Sequence, residues 1–258
     1  MRRTRRILGA TLVIGGALPL GLLLVWSFSR RWYFPALLPQ EFSLHAWTAL
    51  LAPAGPVWPA LKGSAWVGGM TALLATLIAL PAARQLARER PLPRAVVGGL
   101  ILAPLVLPTF AGVMGVQVAL IRLGVADTPA GVIAAHLIPA TPYATVLLTG
   151  TFEGYNARFE EVARTLGARR REVVTRVTLP LLLPGVLVAA LLAFLVSWSE
   201  YLLTLIVGGG QVATLPALLF ASAQGGDYAL TAALSVVYVT PALLIFSLVA
   251  WKLRGWPA

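Results

Sequence analysis

Groups able to do chemistry are scarce in this sequence. It holds nine carboxylates, two histidines and no cysteine, and its only lysines are Lys62 and Lys252. Without cysteine there is no thiolate nucleophile, no disulfide and no CxxC zinc pattern. Neither lysine lies in a G-x-x-x-x-G-K-[ST] stretch, so the chain carries no phosphate-cradling loop of its own. His45 and His136 are isolated from each other and from any second ligand at metal-binding spacing. His136 reads as a helix-packing residue. No Ser, His and Asp are spaced as a triad, and catalysis by this chain is not expected.

Polar side chains concentrate in two other places. The first is "EEVARTLGARRREVVTRVTLPLLLPG", Glu160–Gly185. Asn156 is the expected N-cap of a short helix, which puts Glu160 and Glu161 near its positive end. Phe159, Val162, Ala163 and Leu166 recur at i, i+3, i+4 and i+7 and form one apolar stripe. Glu160, Glu161 and Arg164 are expected to face elsewhere, with Glu160 and Arg164 paired at i, i+4. Gly167 ends the stripe and permits a left-handed turn before Ala168. A second basic helix should follow, with Val173, Val174 and Val177 on one side and Glu172 paired with Arg176. Leu179-Pro180 then starts the next element, since proline fits the first turn of a helix. A charged, striped segment of this kind can dock in a protein groove or lie on anionic lipid.

The second place is "LLAFLVSWSEYLLTLIV", where Ser197, Trp198, Ser199, Glu200 and Tyr201 interrupt an apolar run. A buried acid costs about 2.5–3.5 kcal/mol on insertion scales, so Glu200 should face protein or water. The patch belongs either to a transport path or its gate, or to a helix-packing contact.

The elements that must position these residues are membrane helices. The chain is 59% hydrophobic and 11% charged, against about 25% charged in soluble domains. Apolar runs cover Ile7–Phe28, Ser64–Ala83, Ala95–Ile121, Pro129–Phe152, Leu181–Val207 and Ala229–Trp251, each near the roughly 20 residues that cross a bilayer. The expected fold is an all-α integral membrane protein. Six transmembrane helices form one domain over 1–258, with a cytoplasmic loop of about 153–180 between the fourth and fifth. Arg2, Arg3, Arg5 and Arg6 before the first run would also suit a signal peptide. That run is too long for an h-region, and no A-x-A-like site follows it, so an uncleaved span is expected.

The net charge is +11. On the six-span plan, 16 of the 20 basic residues fall on one side: at the two termini, around Arg84–Arg94 and around Arg158–Arg176. Arg30, Arg31, Lys62 and Arg122 fall on the other. Basic loops stay in the cytoplasm, which places both termini and the loop there. The basicity is then a topology signal, and no nucleic-acid partner is expected.

The charged segment resembles the cytoplasmic "EAA" loop of permease subunits of binding-protein-dependent, type I ABC importers. That pattern is E-A-A, three residues, G, nine residues, then I-x-L-P. Glu161, Ala163, Gly167, Leu179 and Pro180 match it at the family's spacing. Val177 stands for Ile, and Val162 replaces the first Ala without breaking the apolar stripe. The resemblance implies a coupling element formed by Phe159, Glu160, Glu161, Val162, Ala163, Leu166, Gly167 and Ala168. This element would sit in a groove on a separate ATPase. It further implies two ATPase subunits that hold the ATP and Mg, and no cofactor in this chain. A second permease subunit is implied too, a homologous chain being slightly favoured over an identical copy. So are an extracytoplasmic substrate-binding protein and a bacterial or archaeal inner membrane. A secondary transporter, or a membrane scaffold with an interfacial loop, would share the span pattern.

Other cues are softer. Pro104 and Pro108 fall in the third span, and Pro139 and Pro142 are expected to interrupt the fourth; broken spans can line a cavity. Trp26, Trp32, Tyr33 and Phe34 suit an outer aromatic belt. The outer loop Ser29–Gly63 has no pattern strong enough for a domain. "VGGGQVATLPALLFASAQGGDY" joins the last two spans and is a candidate contact for the binding protein. "ARTLGA" and "VTLPLLLPG" resemble permeases for polyamines, thiamine, ferric iron and oxyanions. "SWSEY" and "TLPALL" look more like sugar permeases.

Overall fold

The computed structural model describes the backbone of residues 2–33, 35–88, 91–106 and 109–254, and the side chains of 15–33, 35–88, 95–106 and 112–252. Phe34, Arg90 and Pro108 lie outside the described residues, as do the side chains of Arg2, Arg3, Arg5, Arg6, Arg94 and Arg254. Apart from one two-stranded ribbon, the regular structure among these residues is helical. The chain divides into two compact units.

One unit comprises Met1–Lys62 and Ala213–Leu243. Its helices include α1 (Arg2–Ser27), α2 (His45–Leu50) and α11 (Leu215–Gln224). The outer loop, expected to hold no domain, contains α2 and an antiparallel ribbon of β1 (Ser29–Arg31) and β2 (Glu41–Phe42). An exposed Arg31–Glu41 ion pair at 3.3 Å bridges the two strands. Aromatic rings gather beside it. Trp26 lies 5.2 Å from Trp32 and 6.0 Å from Tyr228, and Phe28 stacks on Trp47 at 5.7 Å. Two residues of the expected belt, Trp26 and Trp32, are therefore in contact.

The other unit, Gly63–Val212 with Leu244–Ala258, carries both polar patches. It holds most of α3 (Val57–Leu86), then α4 (Pro91–Val106), α5 (Thr109–Arg122) and α6 (Pro129–Glu153). After α6 come α7 (Arg158–Thr165), α8 (Arg170–Val173), a π-turn over Val174–Thr178, α9 (Leu179–Ser199) and α10 (Leu202–Val207). Its core joins Val67 of α3, Val113 and Leu120 of α5, Val132 and Ile133 of α6, and Leu203 and Val207 of α10. Helix α6 starts where the sequence stops other options. Pro129 sits in its first turn and the Thr128 hydroxyl accepts the Gly131 amide at 3.1 Å, satisfying an otherwise orphan donor. Among the described residues, helices α6 and α9 form the most extensive contact. Gly185 lies so close to Thr151 that any Cβ would collide with its side chain.

Four helices among the described residues are long and apolar enough to cross a membrane: Val57–Leu86, Pro129–Glu153, Arg170–Ser199 and Tyr228–Lys252. The last belongs to α12 (Tyr228–Arg254). The first expected span is helical as α1. The third expected span is helical over all of its described residues. It is described as two helical stretches, α4 up to Val106 and α5 from Thr109, and residues 107–108 lie outside the described residues. The fifth is split, at Glu200–Tyr201. The fourth, by contrast, is continuous through Pro139 and Pro142. Packing by neighbouring helices holds such proline-containing membrane helices together, and here Pro142 is buried.

Candidate functional site: the charged segment and the helix break at Glu200

The Asn156 side chain accepts the Arg158 amide at 3.0 Å, and α7 begins there, with Ala157 at the cap position. Glu160 and Arg164 pair at 3.4 Å, as the i, i+4 spacing predicts. The side chains divide differently from expectation, however. Glu160 does not face outward with Glu161; it is buried, 8% exposed. Its Oε1 accepts the Thr178 hydroxyl at 3.0 Å and the Tyr155 hydroxyl at 3.2 Å. Burial raises the Tyr155 phenol above its ordinary range; the Thr178 hydrogen bond and the Arg84 charge oppose the rise, and the Glu160 carboxylate adds to it. The phenol therefore keeps its proton and stays a donor. Glu160 fastens α7 to the π-turn, while Glu161 is exposed.

The reason lies in the stripe. Phe159, Val162 and Leu166 are 53%, 56% and 82% exposed, and only Ala163 of the four is partly covered. The apolar face of α7 points away from its own chain. Because that face is turned outward, the flank carrying Glu160 is the one that meets Tyr155 and Thr178.

Gly167 has φ +89°. Its amide donates to the Arg164 carbonyl at 2.9 Å, and the Ala168 amide donates to the Ala163 carbonyl at 3.0 Å. This pair of bonds is a Schellman turn, which satisfies the last carbonyls of a helix and favours glycine. Arg169 then extends, and Glu172 accepts its amide at 2.9 Å. Glu172 and Arg176 approach to 4.0 Å. The expected second short helix is not separate from the fifth span. Arg170–Ser199 forms one helical run of 30 residues, with the π-turn placed just before Leu179-Pro180. Proline forbids an α-helical bond from its own nitrogen and crowds the carbonyl four residues earlier; a wider turn relieves that crowding without ending the helix.

The polar patch of the fifth span separates into three environments. Ser197 and Trp198 are buried, and Trp198 stacks on Phe194 at 5.3 Å. Ser199 is exposed and donates to the Val196 carbonyl at 3.1 Å. Glu200 and Tyr201 are half-buried and form the break between α9 and α10. Glu200 adopts extended backbone dihedrals, φ −77° and ψ 110°. Its Oε1 accepts the Leu203 amide at 3.3 Å, so the acid satisfies a first-turn donor of α10.

His136, 1% exposed, spans this break. Its Nδ1 lies 2.8 Å from Ser197 Oγ on α9, and its Nε2 lies 2.9 Å from Thr204 Oγ1 on α10. The Thr204 hydroxyl donates to the Glu200 carbonyl at 3.0 Å. Its one proton is thus used, and it must accept from Nε2–H. Nδ1 is then the acceptor of the Ser197 hydroxyl. A neutral imidazole with both nitrogens satisfied ties the two halves of the fifth span to α6. His136 does pack helices, as its isolation suggests. Its partner Thr204 was not anticipated, although Ser197 and Thr204 stand seven residues apart, a spacing that would put both on one face of an unbroken helix.

Residues 75–254 match the family described as "Binding-protein-dependent transport system inner membrane component". The molybdenum transport system permease protein ModB of Mycobacterium tuberculosis is 35% identical over 214 residues, covering 77% of this chain and 80% of that protein. A Salmonella typhimurium protein, PhnV, is 29% identical over 230 residues, covering 88% and 85%; its name assigns it provisionally as a permease of 2-aminoethylphosphonate transport. In fold, the chain resembles part of a bacterial ABC transporter involved in the import of the acidic polysaccharide alginate. The TM-score is 0.73 at 19% identity, covering 98% of this chain and 95% of the other. Together with the all-helical, apolar architecture, these matches place the chain in the family of inner-membrane permease components of binding-protein-dependent ABC importers.

Proposed function

We propose that this chain is half of the translocation pathway of an ATP-driven importer and that α7 is where ATPase movement enters it. The observation that carries this is the two-sidedness of α7. Phe159, Val162 and Leu166 are exposed, while Glu160 on the same helix is held by Tyr155 and Thr178. A groove on a partner could grip the apolar face, and the buried carboxylate would carry the displacement to the start of the fifth span. The partners on this reading are two ATPase subunits holding ATP and Mg, a second permease subunit and an extracytoplasmic binding protein.

For the cargo we favour a small oxyanion. The named substrates of ModB and PhnV support this, as does the "ARTLGA"–"VTLPLLLPG" resemblance. Glu200 then caps α10 and positions the break; it is not a substrate ligand, since a carboxylate repels an anion. The experiment is purification with natural partners, followed by ATP hydrolysis measured with molybdate, 2-aminoethylphosphonate, a polyamine and maltose. Binding protein loaded with an oxyanion should stimulate hydrolysis. Stimulation by maltose alone would overturn the cargo assignment. Uptake driven by an ion gradient, with no ATPase bound, would overturn the importer reading.

A further inference from the structure

Two adjoining hollows lie at the end of the second unit that carries α7. The upper one, about 320 Å³, is walled by Leu86 of α3, Gly98, Ile101 and Leu102 of α4, and Val146 and Gly150 of α6. The lower one, about 250 Å³, is lined by Arg84, Arg88, Tyr155 and Glu160. Glu153 borders both, and Leu86 and Ala87 are consecutive residues on the two walls. The hollows therefore run end to end along α6. From Val146 to Glu153 the apolar part extends about 10 Å, roughly a third of a hydrocarbon core.

We propose that this groove binds an anionic phospholipid, with part of an acyl chain against Ile101, Leu102 and Val146 and the phosphate between Arg84 and Arg88. The two arginines are exposed, Arg84 in the last turn of α3 and Arg88 in the turn that follows it, and among the described residues neither is held in an ion pair. Guanidinium forks match phosphate oxygens in shape and charge. Of the two carboxylates in the lower hollow, Glu160 is neutralised by Arg164 and two hydroxyl donors. Glu153 has a partner of its own. A free phosphate would leave the apolar hollow unfilled, and a neutral lipid would leave the arginines unmatched. The cytoplasmic leaflet, where the basic loops belong, is the anionic one. The site is separate from the apolar face of α7 and does not depend on the cargo.

The test is native mass spectrometry of the full chain in mild detergent, titrated with phosphatidylglycerol or phosphatidylcholine. Phosphatidylglycerol should be retained preferentially, by up to about 30-fold for two basic contacts. The Arg84→Gln/Arg88→Gln double variant should lose that preference. Gly98→Phe should weaken phosphatidylglycerol binding with both arginines intact, since a side chain at Gly98 enters open space. Equal retention of the two lipids, or an unchanged preference in the double variant, would overturn the proposal. So would displacement of the lipid by inorganic phosphate, which would mark a soluble-anion site. Loss of phosphatidylglycerol retention when the intact multisubunit complex is measured would mark the groove as a protein interface.

Discussion

Gly167 offers the cleanest separation of backbone conformation from side-chain contact. Its φ is +89°, and an added Cβ would meet nothing within 4 Å. The cost of Gly167→Ala is therefore the left-handed penalty alone, about 1–2 kcal/mol. That is a factor of about 5–30 in the population of the turn. Asparagine tolerates this region, so Gly167→Asn should cost less. Valine is β-branched and a poor occupant of positive φ. With Gly167→Val the turn should reorganise and forfeit its two hydrogen bonds, each worth about 0.5–1.5 kcal/mol net. Helix α7 would then leave its fixed angle to α8. Substrate uptake and substrate-stimulated ATP hydrolysis should fall in the order glycine, asparagine, alanine, valine, at constant membrane abundance. Normal uptake by Gly167→Val would refute the coupling role. An asparagine variant as damaged as the valine one would refute the dihedral reasoning, because a partner contact at Cβ would then be the cause.

Glu160→Ala should uncouple ATP hydrolysis from uptake by freeing α7 from Thr178, whereas Glu161→Ala should be mild; the reverse ranking in a coupled-uptake assay would contradict the observed burial. Glu161→Lys should weaken ATPase co-purification without lowering membrane abundance. His136→Ala leaves the Ser197 and Thr204 hydroxyls without their ring partner. At about 0.6–1.7 kcal/mol per membrane hydrogen bond, it should lower the detergent-solubilised Tm by several degrees, as read by a thermal-shift assay. Gly185→Val should reduce membrane abundance by wedging α6 from α9, and Thr151→Gly should restore it, as measured on immunoblots. In intact cells, Arg170→Cys should resist a membrane-impermeant thiol reagent and Ala54→Cys should react; labelling of the former would overturn the topology.

The apolar runs and the Gly167 turn were readable in the sequence because each rests on local chemistry: run length for a span, glycine for positive φ. The stripe on α7 was readable for the same reason. Which flank of α7 is buried was not, because both Glu160 and Glu161 lie off the stripe. Only the tertiary placement of Tyr155 and Thr178 distinguishes them. Proline misled in both directions. Pro139 and Pro142 look like breaks, yet neighbouring helices keep α6 whole; Glu200 lies in a run with no nearby proline, and the helix opens there. That opening depends on a carboxylate capping α10 and an imidazole on another helix, and no window along α9 contains both.

The continuity of α8, the π-turn and α9 has a mechanical consequence. A helical rod of 30 residues is about 45 Å long, so its two ends move by unequal amounts when it tilts. Pivoting by about 5° at the Arg170 end displaces the Ser199 end by about 4 Å, on that length. This exceeds the slack in a hydrogen bond. The far end of the rod is where Ser197 meets His136 and where the helix gives way at Glu200. Strain applied at one end would concentrate at that joint, making it the place where stiffness turns into a discrete change of contacts.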